Sequence, residues 1–267
     1  MAQAELVAPD QLSSVANAVL FDCRFSLADP GLGRSDYAAG HVPGAHYLHL
    51  DEDLSGPPGK HGGRHPLPDP QAFAARLAAF GVGLTTPVVA YDNARLAFAA
   101  RLWWLMRSLG YCPPLLLDGG YAGYLAAGGT VQTEVPGATP CETPAVGAFS
   151  GHCDIAGLRQ LQQQGALLID SREERRYLGL EEPIDPVAGH IPGALNRPWQ
   201  GVTAADGSAL DSAGQRAHWG EAKDADKLVV YCGSGVTACV NLFSLSLLGR
   251  DDATLYAGSW SDWCSHI

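Results

Sequence analysis

Two stretches of this chain spell the same pattern in the same order. Val19-Leu20-Phe21-Asp22-Cys23-Arg24 returns as Leu167-Leu168-Ile169-Asp170-Ser171-Arg172, and Gly40-His41-Val42-Pro43-Gly44-Ala45 returns as Gly189-His190-Ile191-Pro192-Gly193-Ala194. An apolar run follows in each half, Val88-Val89-Ala90-Tyr91-Asp92 and Leu228-Val229-Val230-Tyr231-Cys232, then a helical stretch ending in Leu109-Gly110 or Leu248-Gly249. Each half closes on a glycine turn flanked by aromatics, Leu117-Asp118-Gly119-Gly120-Tyr121 and Tyr256-Ala257-Gly258-Ser259-Trp260. Chance does not set four landmarks in one order twice, so the chain is a duplicated domain. Its 267 residues suit two domains of about 100–150 residues each. Val131 to Phe149, with Pro136, Pro140 and Pro144, has linker composition. The expected division is therefore a first domain at 1–130, a linker at 131–150 and a second domain at 151–267.

Within each half, apolar runs of a few residues alternate with helical periods. Leu96 to Leu109 puts Ala97, Ala100, Trp104 and Leu105 near one face, with Arg101 and Arg107 turned elsewhere. Short continuous apolar strands joined through helices predict an α/β fold, with a parallel sheet in each domain covered by helices on both faces. Ligands of such sheets sit at the C-terminal ends of the strands.

Cys232 occupies that place. The run Leu228 to Tyr231 ends on it, the Gly-rich loop Gly233-Ser234-Gly235-Val236-Thr237 follows, and an apolar helix starts near Ala238. Loop N–H groups and a helix start both favour negative charge, so this position suits a thiolate. The matching position of the first half holds Asp92, and its loop Asn93-Ala94-Arg95-Leu96 lacks the glycines. Only the second copy is therefore equipped for thiol chemistry, and the first is expected to serve as scaffold.

Composition narrows the rest. The net charge of −11 argues against nucleic acid or an anionic membrane as partner. No apolar run reaches the ~18 residues of a membrane helix, and the first ten residues do not read as a signal peptide. Seven scattered cysteines without a Cys-x-x-Cys pair argue against a disulfide framework and a zinc cluster, and for a reducing, cytoplasmic setting with free thiols. A phosphatase loop would need an arginine close after the cysteine, and the next one is Arg250.

These landmarks resemble the rhodanese-type sulfurtransferases, across nearly the whole chain. Gly-His-x-Pro-Gly-Ala, Asp-x-Arg, the cysteine loop and Gly258-Ser259-Trp260-Ser261-Asp262-Trp263 are features of that family. The resemblance implies two tandem rhodanese-like domains with an inactive N-terminal copy. It also implies sulfur transfer through a persulfide on Cys232, without a metal or organic cofactor. The uncharged loop is similar to that of the branch acting on 3-mercaptopyruvate, whereas thiosulfate-preferring members carry basic residues after the cysteine. The thiosulfate reading and a non-catalytic sulfur carrier are the alternatives.

The resemblance also assigns residues. Cys232 is the nucleophile, and Gly233, Gly235, Val236 and Thr237 contribute the loop N–H groups. Ser234, His65 and Asp51 form a polar set around the persulfide, with Asp53 as the fallback for Asp51. Arg176 holds the substrate carboxylate. The second arginine of that branch is missing, since Ile184 stands where it is expected, and Arg175 and Arg197 are candidates to replace it. His41, His190 and Arg172 have twins or sit in both copies, so they are read as structural. The partners implied are a small sulfur donor and a thiophilic acceptor such as cyanide, a small thiol or a reduced thioredoxin.

Overall fold

Four-residue runs such as Val88–Tyr91 and Leu228–Tyr231 carry no polar face, so they are stable only between two layers of cover. A computed structural model, which describes residues 4–267, shows both runs as strands buried at every position. The first half supplies β1 (Leu6–Val7), β2 (Val19–Asp22), β3 (Ala45–Tyr47), β4 (Val88–Tyr91) and β5 (Leu115–Leu117). The second supplies β6 (His152–Cys153), β7 (Leu167–Asp170), β8 (Ala194–Asn196), β9 (Leu228–Tyr231) and β10 (Thr254–Tyr256). Both sheets are parallel, with orders β1-β5-β4-β2-β3 and β6-β10-β9-β7-β8. In register, Asp22 pairs with Tyr91 and Asp170 with Tyr231, so Asp92 and Cys232 leave their sheets at the same point.

Nine helices flank these sheets among the described residues. They are α1 (Leu32–Ala39), α2 (Pro70–Ala79), α3 (Ala99–Ser108), α4 (Gly120–Ala126), α5 (Ile155–Gln163), α6 (Glu174–Tyr177), α7 (Ser212–Trp219), α8 (Ala238–Leu247) and α9 (Ser259–Cys264). Two of them, α3 and α8, are buried almost all round. The helical period around Arg101 therefore misleads. Its side chain is fully buried, and its Nε donates to the Leu54 carbonyl at 3.3 Å. In α8 the buried Asn241 amide donates to Ser171 Oγ at 2.9 Å and to the Arg197 carbonyl at 2.8 Å.

The chain forms two compact units whose membership crosses the sequence repeat. The first holds Met1–Ser55, Pro68–Ser150 and Thr203–Ala209; the second holds Gly56–Leu67, Gly151–Val202 and Leu210–Ile267. Residues 131–150 thus count with the first unit, and 56–67, from the first half of the sequence, with the second. That second exchange decides which side chains stand near Cys232.

The same buried lattice supports both sheets. Arg24 pairs with Asp22 at 2.6 Å and Arg172 with Asp170 at 2.7 Å, and each also donates to a glycine carbonyl, of Gly40 and Gly189. Tyr91 OH and Tyr231 OH accept the N–H of Val42 and Ile191, each at 3.1 Å. The ring of His41 stacks on Tyr37 and that of His190 on Tyr177, both at 3.9 Å. The duplicated histidines and Arg172 hold turns, as their repetition predicts.

Candidate active site

Cys232 follows β9 directly and is 1% exposed. The loop turns back at once, so that Gly235 N–H donates to Cys232 Sγ at 3.2 Å. Gly235 has φ +78°, and a methyl group on it would lie 2.2 Å from the Ala257 carbonyl oxygen. Both the backbone angle and the close approach require glycine here. Val236 is buried, and Thr237 leads into α8, whose first turns form through Cys239 N–H to the Val236 carbonyl at 3.0 Å.

The start of α9 is the jig for this loop. Cys232 N–H donates to Ser259 Oγ at 3.1 Å, Trp260 N–H to the Cys232 carbonyl at 3.0 Å and Ser261 N–H to the Gly233 carbonyl at 2.9 Å. The same turn also clamps segment 56–67. Gly62 N–H donates to Asp262 Oδ1 at 2.7 Å and Arg64 N–H to Ser261 Oγ at 3.1 Å. Gly63 comes so close that a methyl group would sit 2.4 Å from the Gly258 carbonyl oxygen. One short helix therefore sets both the sulfur loop and the next two residues of the segment, Arg64 and His65.

His65 and Ser234 are brought together, as expected. His65 Nδ1 lies 2.8 Å from Ser234 Oγ, and both residues are buried. Asp51 belongs to the other compact unit. It is exposed in the first unit, where its N–H donates to His49 Nδ1 at 3.2 Å. Asp53, its fallback, accepts Arg76 Nε and His49 N–H, both at 2.7 Å.

A second arginine, from segment 56–67, reaches the cysteine loop beside Arg176. A methyl group at Gly233 would meet Arg64 Nη2 at 3.1 Å and both terminal nitrogens of Arg176 at 3.6 Å. Two guanidinium groups thus converge beside the loop. Arg176 Nη2 donates to Glu182 Oε1 at 2.7 Å and to Asp185 Oδ2 at 3.1 Å, and Arg64 Nη1 pairs with Asp185 Oδ1. Burial pushes the Asp185 carboxyl above its ordinary range, more than the Arg64 and Arg176 charges pull it back. Burial acts the same way on Glu182, but the Arg176 hydrogen bond and backbone donors outweigh it and hold that carboxyl down. Ile184, where the resemblance expects the second arginine, is exposed. Of the two expected substitutes, Arg175 is exposed and paired with Glu181 at 2.9 Å, while Arg197 Nη1 donates to the Asn196 carbonyl. Arg64 was missed because its Gly- and Pro-rich surroundings have no periodicity. Its lack of a twin in the other half was the one available signal.

Burial holds three of the other thiols in the protonated form, which is not the nucleophilic one. Burial raises the Cys23 and Cys264 thiols, and pushes Cys153 up to about 12.

Known proteins share this fold and these landmarks. The rhodanese-like domain pattern matches twice, at residues 8–127 and 155–266. The chain belongs to the rhodanese family, as a tandem-domain sulfurtransferase with two five-stranded α/β domains. A Pseudomonas aeruginosa protein named "Probable 3-mercaptopyruvate sulfurtransferase" is 43% identical over 98% of this chain and 96% of its own. The thiosulfate sulfurtransferase of Cricetulus griseus is 32% identical over 86% of this chain and 79% of its own. Among solved structures, the 3-mercaptopyruvate sulfurtransferase of Leishmania major superposes with a TM-score of 0.87 at 31% identity, covering 99% of this chain and 75% of that one. No helix among the described residues is long and apolar enough to cross a membrane.

Proposed function

We propose that this protein moves a sulfane sulfur from 3-mercaptopyruvate to a thiophilic acceptor through a persulfide on Cys232. The Cys232 thiolate attacks the donor sulfur, and the donor's C–S bond breaks. Its electron pair passes into the enolate of pyruvate, which takes a proton and leaves. Gly235 N–H and its loop neighbours stabilise the persulfide anion. The Ser234–His65 pair polarises the donor ketone and relays the proton. The acceptor then attacks the outer sulfur, and Cys232 departs as thiolate. Cyanide, a small thiol and a reduced thioredoxin meet this need.

The observation that carries the choice of donor is the convergence of Arg64 and Arg176 at Gly233. Their inner faces are spent on Glu182 and Asp185, and Arg172 is spent on Asp170. Three cations facing three carboxylates leave the cluster without net charge, which gives a dianion such as thiosulfate little long-range advantage. The unspent guanidinium nitrogens still form a fork for one carboxylate, at about 1.5–3 kcal/mol per charge-assisted bond. The test is kcat/KM for 3-mercaptopyruvate against thiosulfate with cyanide as acceptor. The expected result favours 3-mercaptopyruvate, and a preference for thiosulfate overturns the choice of donor.

A further inference from the structure

The structure assigns a binding site for a divalent first-row transition-metal ion of the zinc class to His61, Asp262 and His266. One ligand atom from each lies within 4.8 Å of the other two. The set joins the exposed imidazoles of segment 56–67 and of the residues after α9 to a buried carboxylate, and none of the three has a part in the sulfur chemistry.

The hydrogen bonds around the cluster leave the metal-binding atoms correctly prepared. Ser265 Oγ gives its one proton to the Asp262 carbonyl at 2.6 Å, so it accepts from His61 Nδ1 at 2.8 Å. His61 therefore carries its proton on Nδ1 and its lone pair on Nε2. Asp262 is 4% exposed and cannot swing away. Tyr256 OH donates to its Oδ2 at 2.7 Å, and Gly62 N–H donates to its Oδ1 at 2.7 Å. A carboxylate fixed in this way is the usual support of a metal site. His266 Nε2 stands 3.3 Å from Asp262 Oδ1. Two ligands bound to zinc at about 2.0–2.1 Å on a tetrahedron are about 3.3 Å apart, so the ion replaces the shared proton with little movement. The rings of His61 and His266 stack at 4.1 Å, which holds the His61 imidazole beside the His266–Asp262 pair. Imidazole and carboxylate suit zinc, cobalt or nickel, with water completing the shell.

An ion here ties segment 56–67 to the end of α9, beside the clamp that already fixes Gly62 and Arg64. It is a brace for the stretch that carries Arg64 and His65.

The test is titration of the tag-free, chelator-treated full chain with cobalt(II), followed by absorption. The expected result is one equivalent bound with tetrahedral d–d bands and no sulfur-to-metal charge-transfer band. His61→Ala and His266→Ala, both at exposed positions, should each weaken binding by at least about tenfold, as loss of a mere supporting residue already does. With zinc(II), amide exchange at Gly62 and Arg64 should slow. Absence of binding at millimolar cobalt, unchanged affinity in both variants, or a thiolate charge-transfer band would each overturn the assignment.

Discussion

Asp92 and Cys232 stand at the same point of two matching sheets, and their loops solve the same electrostatic problem in opposite ways. Asp92 is fully buried, and its carboxylate accepts four backbone N–H groups, from Ala94 at 2.8 Å, Leu96 at 3.1 Å, and Phe98 and Ala99 at 2.9 Å. In the second copy the sulfur takes the place of that carboxylate, with Gly235 N–H on it. The frames around them agree closely. Tyr121 N–H donates to the Asp92 carbonyl at 2.9 Å, as Trp260 N–H does to that of Cys232. The first copy closes its loop with Arg95 and Leu96 at φ of 58° and 70°, where the second uses Gly235. Such angles cost a side-chain residue about 1–2 kcal/mol each, which the four hydrogen bonds to Asp92 offset. A cradle of N–H groups needs an anion. The first copy carries its acidic group covalently, and the second keeps the cradle for sulfur that comes and goes.

The largest effect should come from removing the difference at its source. Cys232→Ser leaves the frame intact and should lower sulfur transfer by several orders of magnitude with every donor, in a cyanide assay. Next, Asp92→Ala strips four buried N–H groups of their acceptor. It should destabilise the fold by about 3–5 kcal/mol in urea unfolding, while the surviving folded protein keeps its kcat. An equal loss of kcat would make the first loop part of the chemistry.

Smaller effects test the finer contrasts. Arg64→Gln should reduce kcat/KM for 3-mercaptopyruvate by about 10- to 100-fold, mainly through KM, and leave the rate of cyanide attack on preformed persulfide unchanged. A subtler test uses the direction of the Asp92 shift. Burial, opposed by its N–H donors, raises this carboxyl, so the folded state holds its proton more tightly than the unfolded state does. Its linkage contribution is full below the ordinary carboxylate range and is lost as pH rises through the raised value. The stability gap between the wild type and Asp92→Asn should therefore narrow as pH rises there, in urea midpoints measured at stepped pH.

Much of this was legible in the sequence because duplication labels residues by role. Arg24 and Arg172, like His41 and His190, repeat because each half needs the same turns. Cys232 stands out because Asp92 replaces it. What stayed hidden was the placement of residues 56–67. That coil has no period to read, and its position depends on hydrogen bonds to Ser261 and Asp262, 197 and 200 residues away in sequence. Arg64 could be placed beside Gly233 only once those contacts were known, whereas the sequence showed only Ile184 where an arginine is expected.

The central claim is that the second loop alone holds transferable sulfur. Mass spectrometry of the protein incubated with 3-mercaptopyruvate and no acceptor tests it directly. The expected product is one added sulfur atom on the peptide containing Cys232, absent after cyanide treatment. An unmodified peptide, or sulfur carried by another cysteine with Cys232 untouched, would contradict it.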